Sequence, residues 1–219
     1  MSAAITVPDY PRKDFRGFLF VVHETHGLLL LYCTRKKNKG PHFQLPGGHV
    51  DEEEFLEAAR ETSDPNEQLL LAAKAGAARE LYEETGIDLL RQLDRLQPSP
   101  LQSTADMPNL YKDRLFYYVL VTDADFPKEG VTPMGTLGKN LRLKLSVEHA
   151  GFIFQPEPDE AAEMIQLHSG GKCAEALRMA QRQNGKPPPS RLQSSSSARG
   201  GLDVPPPPSR EQDCWCFLC

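Results

Sequence analysis

Residues 79–87 read Arg-Glu-Leu-Tyr-Glu-Glu-Thr-Gly-Ile and close a run from Gln68 that is dense in alanine, leucine and glutamate. Good helix formers with no interior proline predict a helix, and Gly86 predicts its left-handed stop. Just upstream, Asp64 can cap, Pro65 sits at the first helical position and Glu67 can complete a capping box. On such a helix Glu80, Glu83 and Glu84 stand at i, i+3 and i+4, so their carboxylates share one side. Three anions in that proximity repel unless something neutralises them. A hard divalent cation, Mg²⁺ above all, is the usual partner near neutral pH. The plainer alternative is a solvated acidic face, which an Arg79–Glu83 pair at i, i+4 also suits.

Outward from this helix the chain reads as strands. Gly17 to His23, Leu28 to Arg35, Phe43 to Leu45, Leu115 to Thr122 and Leu141 to Phe154 are rich in β-branched and aromatic residues. Glu24 to Gly27 is a hairpin-length gap between the first two. A further helix is expected over Asp159 to His168, with a halt at Ser169, Gly170 and Gly171 and a resumption as Lys172 to Gln183. Strands around a central helix, with helices at the end, predict a mixed α/β sandwich.

Between the strands and the long helix lie Leu45, Pro46, Gly47, Gly48, His49, Val50 and Asp51, a glycine-rich turn after a short strand. Turn and helix together resemble the signature of the Nudix hydrolases, G-x5-E-x7-R-E-U-x-E-E-x-G-U with U aliphatic. Gly48 and Glu54 fit the first half, and Arg79 through Ile87 fit every position of the second. The departure lies between them: 24 residues separate Glu54 from Arg79 where the pattern has seven, an insertion of 17, at about residues 55–71. The resemblance implies that Glu54 pairs with Arg79, which it can still do if the insertion is a surface excursion, with DEEEFLEAARE forming its own short helix before Thr62 to Pro65 turns the chain.

The resemblance implies an α/β/α sandwich with a mixed sheet over residues 12–183, after an N-terminal extension of residues 1–11. It implies Mg²⁺, with Mn²⁺ as an alternative, held by Glu80, Glu83 and Glu84 with the carbonyl of Gly48. It further implies a pyrophosphohydrolase that cleaves a nucleoside diphosphate linked to another moiety by in-line attack of metal-activated water, with Glu83 and Arg79 as catalytic residues. Glu148 and Glu160 are rival candidates for the general base. The substrate is a small molecule of the nucleoside diphosphate type, and pairing of members of the family leaves a homodimer open. The alternative reading is a non-catalytic module of the same fold that binds a nucleotide or a protein and uses the acidic insertion as its surface.

Beyond the box the signals thin. Arg35 and Lys37, with Lys36 and Lys39, gather on a loop where cations meet phosphates at a cleft rim, or merely solvate it. Tyr111, Phe116 and Tyr117 are candidates for base stacking or for core. His23, His42, His49, His149 and His168 show no metal-ligand spacing and read as structural or exposed.

Composition sets the class. With 39% hydrophobic and 25% charged residues the chain is that of a globular protein, and no apolar run approaches a membrane span or a secretory signal. Asp51 to Glu67 holds eight acids against Arg60 alone, a charge of −7, so the remainder carries +2 of the total −5. That balance excludes duplex nucleic acid as a partner, because such binding is driven by counterion release through Lys and Arg. Cys33 and Cys173 are lone thiols, which fits a reducing, cytoplasmic setting. Residues 184–219 hold seven prolines and a four-serine run and are expected to be disordered. They end in Cys216, Phe217, Leu218 and Cys219, the form of a prenylation box, with Cys214 available for a second lipid. A lipidated tail would tether the protein to the cytosolic face of a membrane. An inert apolar end or a cysteine metal cluster are the alternatives.

Overall fold

The structure is a computed structural model that describes residues 15–35, 40–101, 107–165 and 171–184. Its elements run β1 (Arg16–His23), β2 (Gly27–Cys33), β3 (His42–Gln44), β4 (Gly47–His49), α1 (Glu52–Glu61), α2 (Pro65–Thr85), β5 (Gln97–Pro98), β6 (Leu110–Tyr111), β7 (Arg114–Val121), β8 (His149–Gln155), α3 (Pro158–Ile165) and α4 (Lys172–Asn184). Lys37, His168, Cys214 and Cys216 lie outside the described residues, so the tail and its lipidation reading do too. Among the described residues no helix is long and apolar enough to cross a membrane.

β1 organises the sheet. Along one edge it runs parallel to β7 over its full length, from Arg16 opposite Arg114 to His23 opposite Val121. Its other edge is shared: Val22 and His23 pair with Leu28 and Gly27 of β2, while Arg16, Gly17 and Phe18 pair with His49, Gly48 and Gly47 of β4. β2 likewise splits one edge between β1 and β3 and gives the other to β8. The hairpin strands therefore diverge, and the corner Leu45-Pro46 between β3 and β4 is wedged in the fork, where Leu19 N donates to Pro46 O at 3.0 Å.

Both faces of this mixed sheet are covered, which is why β1 and β2 read as nearly unbroken apolar runs. Leu19, Val21, Leu29, Leu31, Leu115 and Tyr117 point into a core shared with α1 and α2. Phe18, Phe20, Leu28, Leu30 and Phe116 point the other way, toward α3 and α4. The expected α/β/α sandwich is thus the architecture observed. Phe116 stacks on Phe18 and Phe20, and Tyr117 is fully buried with its hydroxyl donating to Leu70 O at 2.7 Å. Both are core, and only Tyr111, half-buried under the Lys112 ammonium, keeps an accessible ring.

Two expectations are modified. The run Leu141 to Phe154 is a strand only in its second half, β8. Residues 141–148 are drawn instead to the end of α2: Lys144 N donates to Thr85 O at 2.9 Å and Ser146 N to Glu84 O at 3.3 Å. The last carbonyls of a helix have no intrahelical donor, and this segment supplies two. The capping box at Asp64 is also relayed rather than direct. Asp64 accepts from the amides of Asn66 and Glu67 at 2.7 and 3.2 Å, but Glu67 takes the Thr62 hydroxyl at 2.6 Å, and that hydroxyl accepts from Asp64 N at 3.2 Å. Asp64→Ala is expected to cost about 1 kcal/mol in urea unfolding, the usual worth of an N-cap. An unchanged midpoint would mean that Thr62 carries the cap alone.

Residues 52–85 fold as a helix pair against the sheet. α1 buries Phe55 and Ala58, and the first turns of α2 bury Leu69, in the same core that holds the sheet. Glu52, Glu53, Glu57 and Glu61 remain exposed on its outer side. Residues 55–71, expected as a surface excursion, are therefore part of a structural layer with an acidic exterior.

Candidate active site

The site forms where β4, the start of α1 and the last turns of α2 meet. α2 can approach because its facing residues are small. A Cβ on Gly17 would stand 2.3 Å from the Ala73 carbonyl oxygen and 3.0 Å from Ala77 Cβ, so β1 and α2 are in direct backbone contact there. Gly48 lies opposite Gly17 in the β1–β4 pair, and a Cβ on it would stand 2.3 Å from Glu80 Oε1. The glycine corner and the glutamate carboxylate thus occupy one another's space.

Arg79 holds the assembly. Its Nε donates to Glu54 Oε1 at 2.7 Å, one terminal nitrogen donates to Glu80 Oε1 at 3.3 Å and Glu83 Oε2 at 3.2 Å, and the other donates to His49 O at 3.0 Å and faces Asp51 Oδ2 at 3.1 Å. Glu54, with its side chain only 10% exposed, spends its second oxygen on Asp51 N at 2.5 Å, the N-terminus of α1. The pairing expected of Glu54 and Arg79 is therefore present.

The electrostatics follow from burial. Desolvation works against the Arg79 cation, but the hydrogen bond and charge of Glu54, with the charges of Glu80 and Asp51, outweigh it and raise its pKa. Burial pushes the Glu80 carboxyl above the usual range; Arg79 opposes this and Glu83 adds to it. Glu83, at the rim, is 55% exposed.

Glu84 is buried on the other side of the same glycine corner. Its Oε2 accepts from Gly47 N at 2.9 Å and its Oε1 from the Gln44 amide at 3.2 Å, with His149 Nε2 at 3.6 Å. Gln44 also bonds His149 Nε2 at 2.7 Å, whose Nδ1 meets the Ser146 hydroxyl at 2.9 Å. Gln44, His149 and Asp51 are the site residues that motif reading missed. Only the pairing of β2 with β3 and β8 brings Gln44 and His149 together, and no local spacing announces it. The same pairing sets Arg35, exposed beyond the end of β2, near Glu148, since Thr34 N donates to Glu148 O at 3.2 Å. Glu160 is on α3, which packs on the other face of the sheet, and its carboxylate accepts from the Gln155 amide at 2.9 Å.

The donor set fits a hard cation. Glu80 and Glu83 are adjacent carboxylates whose mutual repulsion is relieved by one guanidinium nitrogen.

No protein-family model matches the chain, and no curated protein matches it. Among solved structures, it is similar to a MutT protein from Methanosarcina mazei, at 17% identity over 81% of this chain and 100% of that one, with a TM-score of 0.43. It is also similar to the Nudix hydrolase RenU from M. smegmatis, at 16% identity over 82% and 91% of the two chains and a TM-score of 0.43. An Ap4A hydrolase from C. elegans gives 18%, 78%, 96% and 0.39 in the same order. Likeness at that level assigns no residue a role.

Proposed function

We propose that this chain is a divalent-metal-dependent pyrophosphohydrolase of the Nudix type, cleaving the diphosphate linkage of a nucleoside diphosphate joined to another moiety. The observation that carries this is the Arg79 hub, which draws Glu54, Glu80, Glu83 and the His49 carbonyl of the glycine corner onto one guanidinium. Glu80, Glu83 and Glu84 would hold Mg²⁺ or Mn²⁺, with the Gly48 carbonyl beside them. When bound, the ion would supply neutralisation of the diphosphate oxygens and activation of water.

The chain's own residues do the rest. Arg79 fixes the glycine corner against the helix and offsets the repulsion among the carboxylates. Glu84, tied to Gly47 N, Gln44 and His149, keeps the corner and the end of α2 in register. Glu83 is the exposed carboxylate of the set and accepts a proton from water in this reading. Glu148 is the better placed of the two rivals, because its segment docks on the end of α2 whereas Glu160 lies on the opposite face. Arg35, exposed just beyond β2, would meet substrate phosphate in this reading.

The test is a release assay on the full chain over a panel of nucleoside diphosphate-linked compounds, with Mg²⁺, with EDTA, and with Glu83→Gln. Turnover should vanish in EDTA and fall on the order of 10²–10⁴-fold in the variant, the usual contribution of a general base. Silence of the folded, Mg²⁺-binding protein across the panel would sink the hydrolase and favour a binding module presenting the acidic side of α1.

A further inference from the structure

At the far end of β1, six strand steps and so roughly 20 Å from Gly17 and the glycine corner, three potential ligands converge. We propose that His23, His26 and Asp123 form a second metal site, selective for a late first-row divalent ion such as Zn²⁺, that clamps the β1–β2 turn to the turn following β7. One ligand atom from each residue lies within 4.8 Å of the others. His23 Nε2 is 3.0 Å from Asp123 Oδ1, across 100 residues of sequence, and the rings of His23 and His26 stack at 4.5 Å.

The surroundings are those of a ligand set rather than a chance surface cluster. Phe126 and Phe154 stand edge-on to the His23 ring, each at 5.6 Å, and fix its orientation. Asp123 Oδ2 accepts from the Asn140 amide at 3.0 Å, and His23 Nδ1 meets the Thr25 hydroxyl at 3.1 Å and the Thr25 amide at 3.2 Å. The Asn140 amide and the Thr25 hydroxyl are outer contacts of the kind that orient ligating carboxylates and imidazoles. Burial lowers the pKa of His23, with His26 acting the same way and Asp123 opposing. In the present arrangement Nδ1 accepts from the Thr25 amide, which leaves the proton on Nε2 facing Asp123. Ligation through Nε2 would place the proton on Nδ1 instead, with the Thr25 hydroxyl as its acceptor and the bond from the Thr25 amide given up. Asp123, 60% exposed, leaves the remaining coordination positions open to water. Two imidazoles and one carboxylate suit Zn²⁺, Co²⁺ or Ni²⁺ and discriminate against Mg²⁺, which prefers oxygen. The site shares no residue with the carboxylates of α2, so it stands or falls independently of the hydrolase reading.

The experiment uses the full chain with Cys214→Ser, Cys216→Ser and Cys219→Ser, so that tail thiols do not bind the probe. Zn²⁺ is titrated against a chromophoric chelator, and histidine ring resonances are followed by NMR. The expected result is one Zn²⁺ per chain that persists in Glu80→Gln and weakens more than about tenfold in His26→Gln and in Asp123→Asn. Two histidine rings should shift in slow exchange, and hydrolysis with Mg²⁺ should be unchanged in His26→Gln. The proposal is overturned if the parent takes up no Zn²⁺, if uptake disappears only in Glu80→Gln, or if neither histidine responds. Asp123→Asn and the NMR readout stay decisive should His26→Gln fold poorly.

Discussion

Glu54→Gln is expected to lower hydrolysis at least tenfold and to destabilise the fold by about 2–4 kcal/mol, although it changes one atom. Breaking a buried ion pair on one side leaves the other charge uncompensated, which typically costs about 3–5 kcal/mol, and Arg79 retains three other carboxylates that reduce this. The loss is specific to the geometry. Glu54 uses one oxygen for Arg79 Nε and the other for Asp51 N, so both positions must accept. A glutamine has one acceptor and sets an NH₂ against a donor at the other. The carboxamide therefore fails at either the guanidinium or the start of α1. Chemical unfolding and steady-state kinetics on the same preparations check it. If Glu54→Gln were as stable and active as the parent, Arg79 would be held by the remaining carboxylates and Glu54 would have no part in the site. Because Glu54 acts through Arg79, the loss should persist at saturating Mg²⁺ and substrate and should appear in kcat.

How much of this was legible in the sequence depends on how local the signal is. α2 announces itself through Pro65, the alanine-rich interior and Gly86, which takes φ 75° as its left-handed cap. β1 and β2 announce themselves through apolar runs that only a doubly covered sheet requires. The role of Glu54 was visible as a residue type at a motif position, but whether it reached Arg79 depended on α1 and α2 packing together through Phe55, Ala58 and Leu69, which spacing cannot encode. Residues 141–148 show the reverse failure. Leu141 and Leu143 are buried as a strand's would be, yet their segment answers the orphan carbonyls of a helix end. His23 reads in the sequence as a structural or exposed histidine and His26 draws no notice, because the residue that joins them, Asp123, is brought alongside only by the parallel register of β1 and β7.

Gly17 and Gly48 are partners across β1 and β4, and alanine at each is expected to fail differently. At Gly17 the new methyl meets the Ala73 backbone carbonyl at 2.3 Å, which cannot rotate away, so α2 must shift from the sheet. Overpacking of that kind costs about 1–3 kcal/mol and more where backbone must move, so Gly17→Ala should lose at least 3 kcal/mol in urea unfolding. At Gly48 the obstacle is the Glu80 carboxylate, also at 2.3 Å, but it is the end of a flexible side chain. Glu80 can swing aside at little cost to folding, and in doing so it leaves Arg79 and the position it shares with Glu83. Gly48→Ala should therefore unfold within about 1 kcal/mol of the parent while its apparent Mg²⁺ affinity, read from the metal dependence of turnover, falls about 10–100-fold. Equal losses of stability in the two variants would show that Glu80 is held rigidly by the fold. A Gly48→Ala enzyme with parental metal dependence would remove Glu80 from the ligand set and leave its burial beside the glycine corner as packing alone.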